Sequence, residues 1–229
     1  MDPRHGLPPP GKFLQLWQKV RTPATLLLQR GTHPLSSALQ VGGLTRCTTI
    51  DFPGELAAVV YCQGCPWHCH YCHNAALIPE QGQQQLDWQQ VVAFIQQRRG
   101  LLDGIVFSGG EPTAQTALID AMHTVKELGM KVALHTNGAY SDRLRALLPL
   151  CDWVGMDLKA PFDDYETITK CPASGEQARQ SAELLRASGV AHQFRTTVDP
   201  WLREEGRLEQ MQALVESWGE TLVLQTMRS

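Results

Sequence analysis

From Val41 onward the chain alternates short strand-like runs with segments of helical periodicity, and this alternation decides the fold class. Leu56 to Cys62 reads as the first clear strand. Asp87 to Arg98 reads as a helix, with Asp87 as its N-cap and Val91, Val92 and Ile95 spaced for a buried face. Gly104 to Phe107, Lys131 to His135, Trp153 to Leu158, Ala191 to Val198 and Thr221 to Leu224 read as further strands. Between them Thr116 to Leu128, Asp142 to Leu148, Glu176 to Ser188 and Glu204 to Trp218 read as helices, with Gly129 and Gly189 as stop signals. About six strand–helix units imply a parallel sheet with helices outside. Six are too few for a closed eight-stranded barrel, so the expected architecture is α/β, a partial (βα)6 TIM-like barrel. An open barrel suits the sequence better than a flat doubly wound sheet because polar motifs repeatedly follow the strands. Cys62 to Asn74, Ser108 to Pro112, Thr136 to Gly138, Asp157 to Lys159 and Asp199-Pro200 would then converge on one mouth. Barrel sites occupy that face.

The densest chemistry lies in Tyr61-Cys-Gln-Gly-Cys-Pro-Trp-His-Cys-His-Tyr-Cys-His-Asn74. Cys65, Cys69 and Cys72 form a C-x3-C-x2-C triplet, which can hold three irons of a [4Fe-4S] cluster and leave the fourth open to another ligand. Zinc is the alternative, with Cys62 as a fourth sulfur and His68, His70 and His73 nearby. Structural zinc sites usually pair knuckles from separated segments, whereas this spacing crowds all four sulfurs onto one turn, and the triplet reading is preferred. One strand–helix unit downstream, Phe107-Ser-Gly-Gly-Glu-Pro112 joins two glycines, which admit close backbone approach, to a carboxylate suited to an ammonium group.

Composition narrows the setting. Seven cysteines, four of them within residues 62 to 72, and no secretory signal favour reduced thiols in a cytoplasm over a disulfide framework. A formal charge of −3 gives no electrostatic case for nucleic acid. No apolar run approaches the roughly 20 residues needed to cross a bilayer. Residues 1–40 are rich in proline and basic residues, with a short helical pattern at Phe13 to Val20, and read as a poorly ordered extension preceding a core of residues 41–229. Val41-Gly-Gly-Leu44 looks like a natural beginning, which makes a start-site artefact the expectation for the extension.

The triplet, Tyr71 before its last cysteine, and Gly-Gly-Glu-Pro together resemble the radical S-adenosylmethionine (SAM) superfamily. That resemblance implies a [4Fe-4S] cluster on Cys65, Cys69 and Cys72, with SAM chelating the open iron. Tyr71 would then lie near the adenine, and Gly109, Gly110 and Glu111 near the methionine moiety. Cys72-His-Asn74, Thr136-Asn-Gly138, Asp157-Leu-Lys159 and the strand of Arg195 narrow the resemblance to the activating enzymes of glycyl-radical enzymes. Val41-Gly-Gly-Leu-Thr, Thr49-Ile-Asp-Phe-Pro-Gly54, Gly100-Leu-Leu-Asp-Gly104 and Asp152-Trp-Val-Gly155 resemble those serving anaerobic ribonucleoside-triphosphate reductase. It covers Val41 to Arg228.

By this resemblance Asn74, Thr136, Asp157, Lys159 and Arg195 contact the cofactor, and Asp157 with Thr136 helps bind a monovalent cation. The pyruvate formate-lyase activating enzymes carry Asp where this chain has His135, which bears on the cation. A His near their last strand has no counterpart, and Gln225 is the candidate for its place. The implied reaction is reductive cleavage of SAM to a 5′-deoxyadenosyl radical that makes a glycyl radical on a partner enzyme. A small electron-donor protein would supply the electron, and no side chain beyond cluster and cofactor ligands is catalytic. Two alternatives stay open: a radical SAM enzyme acting on a small molecule such as a deazapurine precursor, and a zinc-binding interaction module. Residue by residue, Asp157 with Lys159 could be a surface ion pair, Asn137-Gly138 a plain turn, and Arg195 the partner of a core carboxylate.

Overall fold

Strands that are apolar at every position are covered on both faces, and the inner strands here follow that rule. In the computed structural model, residues 39–82 and 85–226 are described. Among these residues seven strands form one sheet in sequence order. Strand β1 (Val41–Thr48) runs antiparallel to β2 (Ala57–Cys62). From β2 onward all pairings are parallel, through β3 (Gly104–Gly109), β4 (Lys131–Thr136), β5 (Trp153–Asp157), β6 (His192–Val198) and β7 (Val223–Thr226). The outer strands β1 and β7 do not pair, so the barrel is open, as expected from six parallel strands. Helices α1 (Trp88–Gln97), α2 (Leu118–Glu127) and α3 (Ser141–Leu147) make the first crossovers. A short α4 (Tyr165–Thr169) with α5 (Ser174–Ala187), and then α6 (Arg207–Ser217), make the last two. Among the described residues no helix is long and apolar enough to cross a membrane.

The two-residue period of the strands divides the interior. Val60, Cys62, Ile105, Phe107, Val132, Leu134 and Met156 belong to the core that packs under the helices. Ala57, Val59, Val106, Ala133 and Trp153 point the other way and form an inner cluster with Phe52. Phe52 comes from the loop between β1 and β2, is 4% exposed, and closes the barrel floor. Burying such a ring is worth about 2 kcal/mol. The upper part of the barrel is left for polar groups.

Several expected elements differ in detail. Strand β1 was not anticipated, and neither was α4. Helix α6 starts at Arg207 rather than Glu204, because a 3₁₀ turn at Trp201–Arg203 and the left-handed Gly206 (φ 70°) precede it. Asp87 caps α1 as expected, accepting from the Gln89 N–H at 2.8 Å, while Val92 is only half-buried and Trp88 takes its place on the inner face. The expected extension and its Phe13 to Val20 helix lie outside the described residues, except for Leu39 and Gln40. Leu39 is 3% exposed and packs in the core.

Candidate functional site

The segment after β2 is where the sequence concentrates its sulfur, and its backbone is pinned from several directions. Cys65 N–H donates to the Ile78 carbonyl at 3.0 Å and Gly64 N–H to that of Leu77 at 2.8 Å. His68 N–H donates to the Thr169 carbonyl at 2.8 Å, and the His70 imidazole meets the Asp199 carboxylate at 2.7 Å. Trp67, 1% exposed, packs edge-on against Tyr165 with centroids 5.7 Å apart. Strands β2 and β6 and helix α4 therefore jointly position the three thiols.

The two glycines at the end of β3 serve this loop. A Cβ on Gly109 (φ 114°) would come within 2.5 Å of the Cys62 backbone, and one on Gly110 within 2.7 Å of the Leu77 carbonyl. That close approach lets Gly110 N–H donate to the Cys62 carbonyl at 2.9 Å and Glu111 N–H to that of Gly64 at 2.8 Å. Only glycine tolerates both the dihedral and the contact at Gly109.

Glu111 is fully buried and does not line the cavity. Its Oε1 accepts from the Thr113 N–H (3.0 Å), the Thr113 hydroxyl and the Thr136 hydroxyl (2.8 Å), and its Oε2 accepts from the Asn137 N–H at 2.7 Å. Burial raises its carboxyl pKa, and these hydrogen bonds work against that rise. Glu111 thus welds the ends of β3 and β4 together. Asn137, next to Thr136, in turn donates its side-chain amide to Cys65 Sγ at 3.6 Å. Asn137 belongs to the Thr136-Asn-Gly138 motif, whose bland alternative is a plain turn; nothing in the sequence reveals that its amide faces a sulfur 72 positions away.

All these elements border one cavity of about 510 Å³ at the C-terminal ends of the strands. Cys65, Cys69, Tyr71, Cys72 and Asn74 line it from the loop, Gly109 and Gly110 from β3, and Thr136 from β4. Asp157, Lys159 and Arg195 line it from β5 and β6, and Gln225 from β7. Every sequence-nominated residue except Glu111 therefore reaches the same space. His135, Trp67, Thr197 and Asp51 also line it and were not nominated. Asp51 comes from the floor loop, whose folding back into the barrel leaves no sequence pattern.

A charged group of three shares this cavity with the thiols. Arg195 donates to Asp157 Oδ1 through Nε (2.9 Å) and Nη2 (2.8 Å), and Lys159 Nζ reaches Oδ2 at 3.1 Å. Burial alone would raise the Asp157 pKa, but Arg195 and then Lys159 hold it well below the usual carboxylate range. Burial likewise opposes the charge on Lys159, and Asp157 outweighs it and raises that pKa. Gly155 makes room for the guanidinium: a Cβ there would lie 2.8 Å from Arg195 Cζ. The pair is thus neither a surface bridge nor buried entirely in core; it stands in the cavity wall.

His135 Nε2 lies 2.8 Å from the Asp51 carbonyl and 3.4 Å from Arg195 Nη1. The shorter contact assigns the ring proton to Nε2, donating to the carbonyl. Burial first, and Arg195 second, lower its pKa from 6.5 to about 4. The unfolded chain therefore binds this proton before the folded one does. Stability from this residue is complete above pH 6.5 and is lost as pH falls towards about 4. Discounting for cavity water, the loss is about 2 kcal/mol. Urea unfolding of the cluster-free protein near neutral and acid pH is expected to show that excess loss relative to His135→Gln. Equal losses in the two proteins would exclude it.

The cavity fits a cluster better than a single ion. Among the described residues no three His, Cys, Asp or Glu groups are gathered as one ion would require. The three thiols instead line a common space, as ligands to separate irons do. Cys62 is fully buried on the helix side of β2 and is no member of the set. Burial pushes the Cys65 thiol up to about 12 and raises that of Cys69, so these groups stay protonated until a soft metal displaces the proton. The Trp67 Nε1 and Tyr71 Oη atoms are buried without a hydrogen-bond partner, and both residues line this cavity. Unpartnered buried polar atoms of this kind mark a place for a ligand.

Comparison with known proteins agrees with this geometry. The profile of the Radical SAM superfamily matches residues 59–208. A protein of Methanocaldococcus jannaschii, provisionally named a glycyl-radical enzyme activating enzyme, is 32% identical over 77% of this chain and 75% of its own length. The pyruvate formate-lyase-activating enzyme of Clostridium pasteurianum is 33% identical over 68% of this chain and 66% of its own. Among solved structures, anSMEcpe with bound AdoMet superposes with a TM-score of 0.58 at 17% identity, over 73% of this chain and 49% of that one. That likeness shows the fold. On the profile match and the M. jannaschii relative together, the chain belongs to the radical SAM superfamily, within its glycyl-radical-enzyme activating family.

Proposed function

We propose that the glycine this chain activates belongs to an anaerobic ribonucleoside-triphosphate reductase, and that a small electron-donor protein in the cytoplasm would supply the electron to this chain's own cluster. The family brings a [4Fe-4S] cluster and SAM, which when bound supply a one-electron cleavage of the sulfonium and hence a carbon-centred radical. Cys65, Cys69 and Cys72 would hold the cluster, and Asn137 tempers the charge on Cys65 through its amide. Tyr71, Asn74, Thr136, Asp157, Lys159 and Arg195 would hold and orient the cofactor, with the two cations facing its carboxylate. Glu111 would act through Thr136 and Asn137 rather than by touching the cofactor, a reading that its burial and its hydrogen bonds to both support. A hydrogen atom rather than a proton leaves the glycine, so no side chain need serve as acid or base.

The observation that carries this reading is the single cavity shared by three thiols and the Asp157–Lys159–Arg195 group. The choice of reductase is supported by the Thr49 to Gly54 motif, whose Phe52 and Asp51 form the barrel floor. Anaerobic incubation with the reductase, a reductant and SAM is expected to give the electron paramagnetic resonance doublet of a glycyl radical. Cleavage of SAM with no doublet on any glycyl-radical enzyme would sink the proposal and favour a small-molecule substrate.

A further inference from the structure

The family resemblance calls for a monovalent cation on Asp157 and Thr136, and in this chain the two residues do not fit one. Thr136 is 3% exposed, its hydroxyl donates to Glu111 at 2.8 Å, and its oxygen accepts from the Gly138 N–H at 3.0 Å. Asp157 already carries Arg195 on one oxygen and Lys159 on the other. The neighbouring position supplies no further anion, because His135 places an imidazole there with its proton on the Asp51 carbonyl. The Asp51 carboxylate, also on the cavity wall, turns to the Thr48 hydroxyl at the end of β1. Hard cations need several oxygens with free lone pairs facing one point. This wall offers instead two fixed cations around one carboxylate.

We propose that the Arg195 guanidinium, admitted by the missing side chain at Gly155 and fixed by Asp157, stands in place of an alkali ion. The chain then takes the carboxylate of its cofactor without any alkali metal, and His135 is the residue that sets this preference. The inference rests on the reading that the cavity binds SAM, and the test separates the two. Binding of SAM to the cluster-loaded protein is measured by equilibrium dialysis at fixed ionic strength in potassium, sodium or tetramethylammonium chloride. Dissociation constants equal within about twofold in all three salts are expected. Tightening of about fivefold or more by potassium or sodium would overturn the inference while leaving the cofactor reading intact. No binding in any salt would instead overturn the cofactor reading, and this inference with it. His135→Asp should bind at least about fivefold more tightly in potassium than in tetramethylammonium. A His135→Asp protein indifferent to the salt would remove His135 as the determinant. The wild-type comparison decides the first claim even if that variant does not fold.

Discussion

Cys65→Ala is expected to give a colourless, inactive protein after iron–sulfur reconstitution, whereas Cys62→Ala keeps its broad visible absorption and its activity. The two residues are three positions apart, and strand parity separates their fates. Tyr61 faces the barrel cavity, so Cys62 at the next position faces the helices, where it is 0% exposed among Val60, Ile105 and Phe107. Burial raises the Cys62 thiol pKa far above the ordinary value, and the nearby Glu111 adds to the rise; unlike Cys65 and Cys69, it also lies outside the cavity from which a metal would have to displace the proton. Truncating it removes one buried sulfur, for about 1 kcal/mol of stability. Cys65 lies beyond the strand, on the loop that lines the cavity, with the Asn137 amide on its sulfur. Its backbone bond to Ile78 survives the substitution, so the fold should persist while the third iron loses its ligand. Iron content, visible absorption and thermal unfolding of both variants check the pair. A coloured Cys65→Ala alongside a bleached Cys62→Ala would reverse the assignment.

The sequence revealed those features whose cause is local. Parallel strands buried on both faces stand out as apolar runs, and Asp87 marks a helix start by its side-chain acceptor as Gly129 marks a helix end by its left-handed backbone. Strand β1 lacks this mark: Val41-Gly-Gly-Leu-Thr is half-exposed and carries two glycines, so it resembles a loop until it pairs with β2. Helix α4 has five residues, too few to display a 3.6-residue period. The site followed the same division. The thiol triplet and the Gly-Gly-Glu run were visible because their spacing is their chemistry. The His70–Asp199 contact spans 129 positions and the Arg195–Asp157 pair 38, and only the barrel's curvature brings them together. Glu111 shows the limit most clearly. Its identity was legible, but its direction was not, because a strand end leaves open which side a carboxylate faces.

That direction makes Glu111→Ala the most damaging single change expected outside the thiols. The carboxylate is 0% exposed and accepts four hydrogen bonds from Thr113, Thr136 and Asn137. Alanine would leave two backbone N–H groups and two hydroxyls facing a void. Unsatisfied buried donors cost about 1–3 kcal/mol each, and with the hydroxyls free to rotate the total comes to about 4 kcal/mol. Glutamine keeps one acceptor oxygen but turns an NH₂ towards a donor, so Glu111→Gln should lose about half as much. The damage should also reach the cavity. Released from Oε2, the Asn137 backbone no longer fixes the amide on Cys65, and Thr136 loses its orientation in the wall. Urea unfolding should therefore rank wild type, Glu111→Gln and Glu111→Ala in falling order. SAM affinity should fall in the same order, because the carboxylate organises the wall that the cofactor meets. A Glu111→Ala protein of native stability that merely fails to bind SAM would show instead that Glu111 reaches the cofactor itself.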